Sequence, residues 1–298
     1  MNFSTIWRNT LDRVIANGRM REVRGFKTQE LLNLTLDMRF DVIDQALCLL
    51  VNRKANLAFN VAEALYILLG RNDVPFLAHY NKNITQFANG ATFLGAYGRR
   101  MDLGEPGLIT QLDLLIDRYH ADPYSRQMFL QISDAIIDMM PDNNDRACNQ
   151  LVNFIVDPKE GALQMTVHSR SCDVVWGLTY DVFNFTCLHE QIAQLLKRQR
   201  GRFIYHIQSA HVYERHWKKL RKENWLEEHP DLRAFNIYCP YWTGLSLEHY
   251  YVHAKSLNER IDEGTFYPRQ DFIPNDVVTA LWCKLGEVMR GKSTTPKT

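Results

Sequence analysis

The sequence predicts an α+β protein. Apolar runs at 151–156, 163–167 and 203–213 are rich in β-branched and aromatic residues and are bounded by turn formers, so they read as strands. Longer apolar segments at 57–70, 182–200 and 277–290 carry helical periodicity. Hydrophobic residues make up 46% of the 298, enough to bury a large core in one or two domains.

Taken in order, residues 1–19 predict a short amphipathic helix with Ile6, Leu11, Val14 and Ile15 on one face. Arg19, Arg21, Arg24 and Lys27 then surround Gly25. A flexible glycine lets backbone amides and guanidinium groups converge on an anion, so this run is a candidate phosphate loop; a solvated basic turn is the alternative. Leu32, Leu34, Leu36 and Met38 alternate, which predicts a strand over 30–40. In the helix over 57–70, Gly70 is the C-cap and Glu63 the single charge. A carboxylate on an apolar face is costly unless paired or used, although an edge position would also account for it.

The chemistry concentrates in 145–181. A polar turn, 141–145, leads to Cys148 and the strand 151–156, then to the turn 157–161 and a second strand ending in Arg170-Ser171-Cys172-Asp173. Neighbouring strands thus deliver a thiol, a guanidinium, a hydroxyl and a carboxylate together, a set suited to attack by sulfur on a phosphorylated substrate. The helix over 182–200 follows, with Lys197 to Arg200 at its end and with Cys187 and His189 as packing or surface residues rather than ligands. Along 203–213, His211 and Tyr213 are two apart and share a face. A helix starts at Glu214, 236–242 is strand or loop, and a last helix spans 277–290 before a polar tail.

Formal net charge is +1, unlike a protein that coats nucleic acid. Six cysteines show neither CxxC pairs nor metal-ligand spacing, which predicts reduced, cytoplasmic chemistry. The first residues lack the features of a signal peptide, and no apolar run reaches the ~20 residues of a membrane span.

Cys148 with its strand, then Arg170-Ser171-Cys172-Asp173-x-x-x-Gly177-Leu-x-Tyr180-Asp181, resembles the core of thymidylate synthases, which read Pro-Cys-His and Arg-Ser-x-Asp-x-x-x-Gly-x-x-Phe-Asn. Ala210-His211-Val212-Tyr213, Glu63 in its apolar helix, Gly95-Ala96-Tyr97-Gly98 and Asp122-Pro123-Tyr124-Ser125-Arg126 extend the series over roughly 20–220. Five positions depart from it. Asp181 stands for the family's asparagine, Asn149 for its histidine, Phe87 for a tryptophan, Gln127 for a second arginine and Val23 for the phosphate-loop arginine, the nearest cation being displaced to Arg24. The change to Asp is the mark of the cytidylate hydroxymethylase branch, known from bacteriophages.

The resemblance implies a single thymidylate synthase-like domain over 1–298, a mixed sheet with flanking helices, divergent from about 225, working as a homodimer. It implies Cys148 as the nucleophile that adds to C6 of a pyrimidine, with Arg170 favouring the thiolate. Glu63 and Tyr97 handle protons at the base. Arg24, Arg170, Ser171 and the partner's Arg126 hold the 5′-phosphate, with Arg21 a competitor to Arg24. His211 and Tyr213 bind the sugar, Asp181 selects the base, and Asp173, Phe87 and Gly177 lie on the folate side. The donor is 5,10-methylenetetrahydrofolate. A carboxylate at 181 accepts from the cytosine amino group, so the expected reaction is 5-hydroxymethylation of a cytidine monophosphate, dCMP before CMP. Thymidylate synthesis on dUMP and a silent nucleotide-binding homologue are the alternatives.

Overall fold

The computed structural model describes residues 3–47, 56–104, 109–220, 245–268, 274 and 276–291. The run 236–242 and the tail from 292 lie outside them. The mixed sheet with flanking helices is present. Helix α1 (Phe3–Asn17) buries Phe3, Ile6, Trp7, Leu11 and Val14, whereas Ile15, expected on that face, is exposed. The expected phosphate loop is the tip of a β-hairpin. Strands β1 (Arg19–Val23) and β2 (Phe26–Met38) pair antiparallel, with Val23 opposite Phe26. The two residues between, Arg24 and Gly25, both have positive φ, 53° and 77°. That is the two-residue turn whose twist suits a hairpin.

Helix α2 (Leu57–Leu68) starts where the Asn56 side chain accepts from the Phe59 amide, and Gly70 follows its end in the left-handed region. Helices α3 (Val74–Tyr80), α4 (Tyr97–Arg100) and α5 (Gln111–Ala121) lead to strand β3 (Met128–Gln131) and the short α6 (Ala135–Met139). Strands β4 (Asn149–Val156) and β5 (Leu163–Ser169) are antiparallel neighbours, as the sequence implied. Strand β6 (Cys172–Asp173) then runs into helix α7 (Gly177–Leu195).

Helix α7 starts five residues before the predicted 182 and ends at Leu195; Arg200 already belongs to strand β7 (Arg200–Tyr213). Nearly all its residues are buried, so its ends carry no amphipathic signal. Its start is set by Asp173, whose Oδ1 accepts from the amides of Val175 and Trp176. His189 bonds the Leu163 carbonyl and is buried, as is Cys187. Helices α8 (Glu214–Leu220), α9 (Leu247–Asp262) and α10 (Val277–Met289) complete the described chain.

The strand order is β1-β2-β7-β5-β4-β3, with β6 beside β7; β5 and β6 run parallel to β7 and the other pairs are antiparallel. Residues of one sheet face, such as Leu34, Met38, Val152, Phe154, Val167 and Tyr205, are buried in the core. The other face is more open, with Phe129 and Ile155 exposed on it. Gly98 lets α4 press on α2: a Cβ there would lie 1.9 Å from the Ile67 carbonyl oxygen. Gly98→Ala should destabilise the protein by at least about 1–3 kcal/mol, read as a lower thermal midpoint.

Candidate active site

Four elements converge on one cleft. Glu63 from α2, Tyr97 from α4 and Asp181 from α7 line a cavity of about 140 Å³, with Tyr66, Ile67, Leu77, Ile84, Phe87, Phe93 and Asp145 among its other walls. Phe87 is 44% exposed at its rim. Cys148 precedes β4 and interacts electrostatically with Tyr97 and Asp181.

Arg170 is fixed by the chain around the thiol. Its Nε donates to the Ala147 carbonyl at 2.9 Å and Nη2 to the Arg146 carbonyl at 3.0 Å; Nη2 lies 3.8 Å from Cys148 Sγ. Burial pushes the Cys148 thiol up; Arg170 and Arg24 oppose this, while Asp181 and Asp145 reinforce it. Arg170 does favour the thiolate, but burial outweighs it. Cys148 is therefore a thiol at neutral pH in the free protein.

The same competition sets the carboxyls. Burial raises Glu63 to about 7, against a bond from Asn184 Nδ2 to Glu63 Oε2 at 2.8 Å, and nearby Asp181 raises it further. Burial raises Asp181 to about 6, against Tyr205 and Asn149. Tyr97 is held well above 10 by burial. Poised carboxyls at the wall of one cavity suit proton transfer near neutral pH.

On the hairpin, Arg21 is paired with Glu30, 2.8 Å away. Arg24 is unlike it in acting on Cys148 from the hairpin tip. Ser171 sits between Arg170 and β6, and its carbonyl accepts from the Ser169 hydroxyl. His211 and Tyr213 lie side by side, with ring centroids 5.2 Å apart. Asp173 pairs with His211 across β6 and β7, and its carboxylate is engaged with the backbone at the start of α7. Gly177 leaves room there: a Cβ would meet Cys172 Sγ at 3.6 Å and Asp181 Oδ2 at 4.0 Å. Arg126 is exposed on the turn before β3 and does not line the cavity of its own chain.

Three polar residues join the site that motif reading did not single out. Tyr205 Oη lies 2.7 Å from Asn149 Oδ1 and 2.9 Å from Asp181 Oδ2. Asn184 holds Glu63, one helical turn beyond Asp181. Asp145 Oδ2 accepts from the Gly95 amide at 2.7 Å, and burial raises its carboxyl. Strand parity with His211 is a signal that could have suggested Tyr205.

A deoxyuridylate hydroxymethyltransferase of Bacillus phage SP01 is 32% identical over 219 residues, 70% of this chain and 56% of that protein. A protein of the same name from Pseudomonas phage M6 is 34% identical over 166 residues, 54% of this chain and 46% of its own length. The chain thus spans about half the length of the curated relatives it matches. The thermostable thymidylate synthase A of Bacillus subtilis shares the fold, with a TM-score of 0.60 over 77% of this chain and 87% of that one at 22% identity. The thymidylate synthase family model matches residues 5–253, beyond both ends of the motif series, and the chain belongs to that family.

Proposed function

We propose that the chain is a folate-dependent 5-hydroxymethyltransferase acting on a cytidine monophosphate, with dCMP favoured. The observation that carries this reading is the buried Asp181 carboxyl, which lines the cavity beside the nucleophile. An amide at that position offers one donor and one acceptor, as uracil requires. A carboxylate accepts from the cytosine amino group and favours a protonated N3. A mismatched base leaves a buried polar group unpaired, at roughly 1–3 kcal/mol.

In this reading Arg170, Ser171 and Arg24 grip the 5′-phosphate, and His211 and Tyr213 take the 3′-hydroxyl. Arg126 comes from a second copy, packed on the open sheet face. Cys148 loses its proton and bonds to C6, which turns C5 into a nucleophilic enamine carbon. Glu63, through water, and Tyr97 then accept and return protons at the base. After the one-carbon unit is attached, removal of the C5 proton and breaking of the carbon–nitrogen bond, with release of tetrahydrofolate, would leave an exocyclic methylene; water adds to it, and expulsion of the Cys148 thiolate restores the C5–C6 double bond.

The cavity suits the folate. Ile67, Leu77, Ile84, Phe87 and Phe93 offer apolar surface for a flat conjugated ring, while Glu63, Asp145 and Asp181 supply polar partners at the edges. When bound, 5,10-methylenetetrahydrofolate supplies a carbon at the oxidation level of formaldehyde. Phe87 at the rim and Asp173 with Gly177 at the start of α7 are the residues proposed to hold it.

A uridylate substrate is the second reading, favoured by the names of the two phage relatives. Asp181→Asn separates the two. Turnover of dCMP and dUMP, followed by mass analysis of the product, should show the preference moving toward dUMP by about 10- to 100-fold. If dCMP is still preferred, the assignment of Asp181 fails. Dihydrofolate as the stoichiometric product would instead mean methylation.

A further inference from the structure

Tyr205 is fully buried and sits between two acceptors, Asn149 Oδ1 at 2.7 Å and Asp181 Oδ2 at 2.9 Å. A phenol has one hydrogen and cannot donate to both. Two arrangements satisfy all three groups. When Asp181 is protonated, its hydroxyl donates to Tyr205 Oη, and Tyr205 donates to Asn149 Oδ1. When Asp181 is ionised, Tyr205 donates to the carboxylate, and the Asn149 amide turns over so that Nδ2 donates to Tyr205 Oη. The Asn149 amide is turned as in the first, with Oδ1 toward Tyr205 Oη, and this leaves Nδ2 buried without a hydrogen-bond partner. Asn149 lies near enough to favour the ionised forms of Tyr97 and Asp181, although Nδ2 meets neither in hydrogen-bonding geometry.

We propose that Tyr205 is a positioning residue that couples the protonation of Asp181 to the orientation of the Asn149 amide, so that both groups select the base together. The inference rests on Asp181 as the base reader. With Asp181 ionised, the carboxylate and the outward Asn149 carbonyl are both acceptors, which suits the cytosine amino group. With Asp181 protonated, the outward Asn149 amino group is a donor, which suits the O4 of uracil. One phenolic hydrogen thereby prevents a mixed state that would accept either base. The titratable groups around Asp181 are Glu63 on α2, Tyr97 on α4, Cys148 before β4, Cys172 on β6 and Tyr205 itself. None of the other four bonds both partners of the switch.

The test uses Tyr205→Phe, Asn149→Ala and the double variant. Phe keeps the ring contacts to Phe185 and Phe203, with centroids 6.2 and 5.9 Å away, and adds no volume. Two quantities are measured. One is the titration of Asp181 in nucleotide-free protein, by infrared difference spectroscopy with labelled aspartate and Asp181→Asn as the assignment control. The other is the ratio of dCMP to dUMP affinities, by calorimetry without folate. Tyr205→Phe should weaken Asp181 as an acid about tenfold and reduce the affinity ratio about tenfold, each worth one hydrogen bond to a charged group. Asn149→Ala should reduce the ratio similarly, and the double variant no further than either single change. An unmoved Asp181 titration in Tyr205→Phe, or losses that add, would overturn the coupling. If wild-type protein binds neither nucleotide, the functional reading falls, while the titration still decides whether Tyr205 couples the two groups.

Discussion

Cys148→Ser is expected to lower nucleotide turnover by at least about 10³-fold while leaving nucleotide binding near wild type. Serine keeps the size of the side chain, so the contacts of Arg170 with the Ala147 and Arg146 carbonyls survive. What disappears is a nucleophile able to ionise in a buried setting. The thiol itself is held up by burial, with Arg170 as the main opposing influence, and a hydroxyl starts far less acidic. The measurement is tritium release from C5 of the nucleotide, which reports formation of the C6 adduct before any product appears. Release at the wild-type rate would exclude Cys148 from the chemistry.

Glu63→Gln should act in opposite directions on rate and on stability. An acid–base group contributes roughly 10²–10⁴-fold, so turnover should fall by that amount. Stability should rise. Burial lifts Glu63 from 4.5 to about 7, so between those values the native protein binds protons that the unfolded chain has released. Folding stability therefore declines as pH rises from about 4.5 to 7 and stays reduced above it. The neutral isostere removes that cost, up to about 3 kcal/mol at pH 8, and leaves stability nearly unchanged at pH 4. Denaturant titrations at the two pH values read the difference directly. A loss of stability at pH 8 would mean that the bond from Asn184 outweighs desolvation. In the wild type, turnover should fall below pH 7 as Glu63 protonates, with Asp181, raised to about 6, contributing to the same limb.

Cys148, Arg170 and Glu63 stand in local patterns that chemistry makes recognisable, a thiol before a strand, a guanidinium after the next and a lone carboxylate in an apolar helix, whereas Tyr97 and Asp181 were singled out through the family resemblance. The rest of the site depends on pairings across the fold. Tyr205 reads as one more aromatic in an alternating strand until Asn149 and Asp181 are brought against it. Asn184 lies in a helix so buried that polarity there gives no periodic signal. The basic run at 19–27 suggested a loop, because cations and glycine describe an anion site and a hairpin tip equally well. The register of Val23 with Phe26 shows the hairpin, and that register is a property of two strands together.

Helix α7 carries both Asp181 and the Asn184 that holds Glu63, one turn apart on a rod packed into the core. On the proposed roles, substrate choice and proton delivery are mounted on the same rigid body. A substitution that slides or rolls this rod disturbs both at once, so neither property can drift far in evolution, or be tuned by design, without retuning the other.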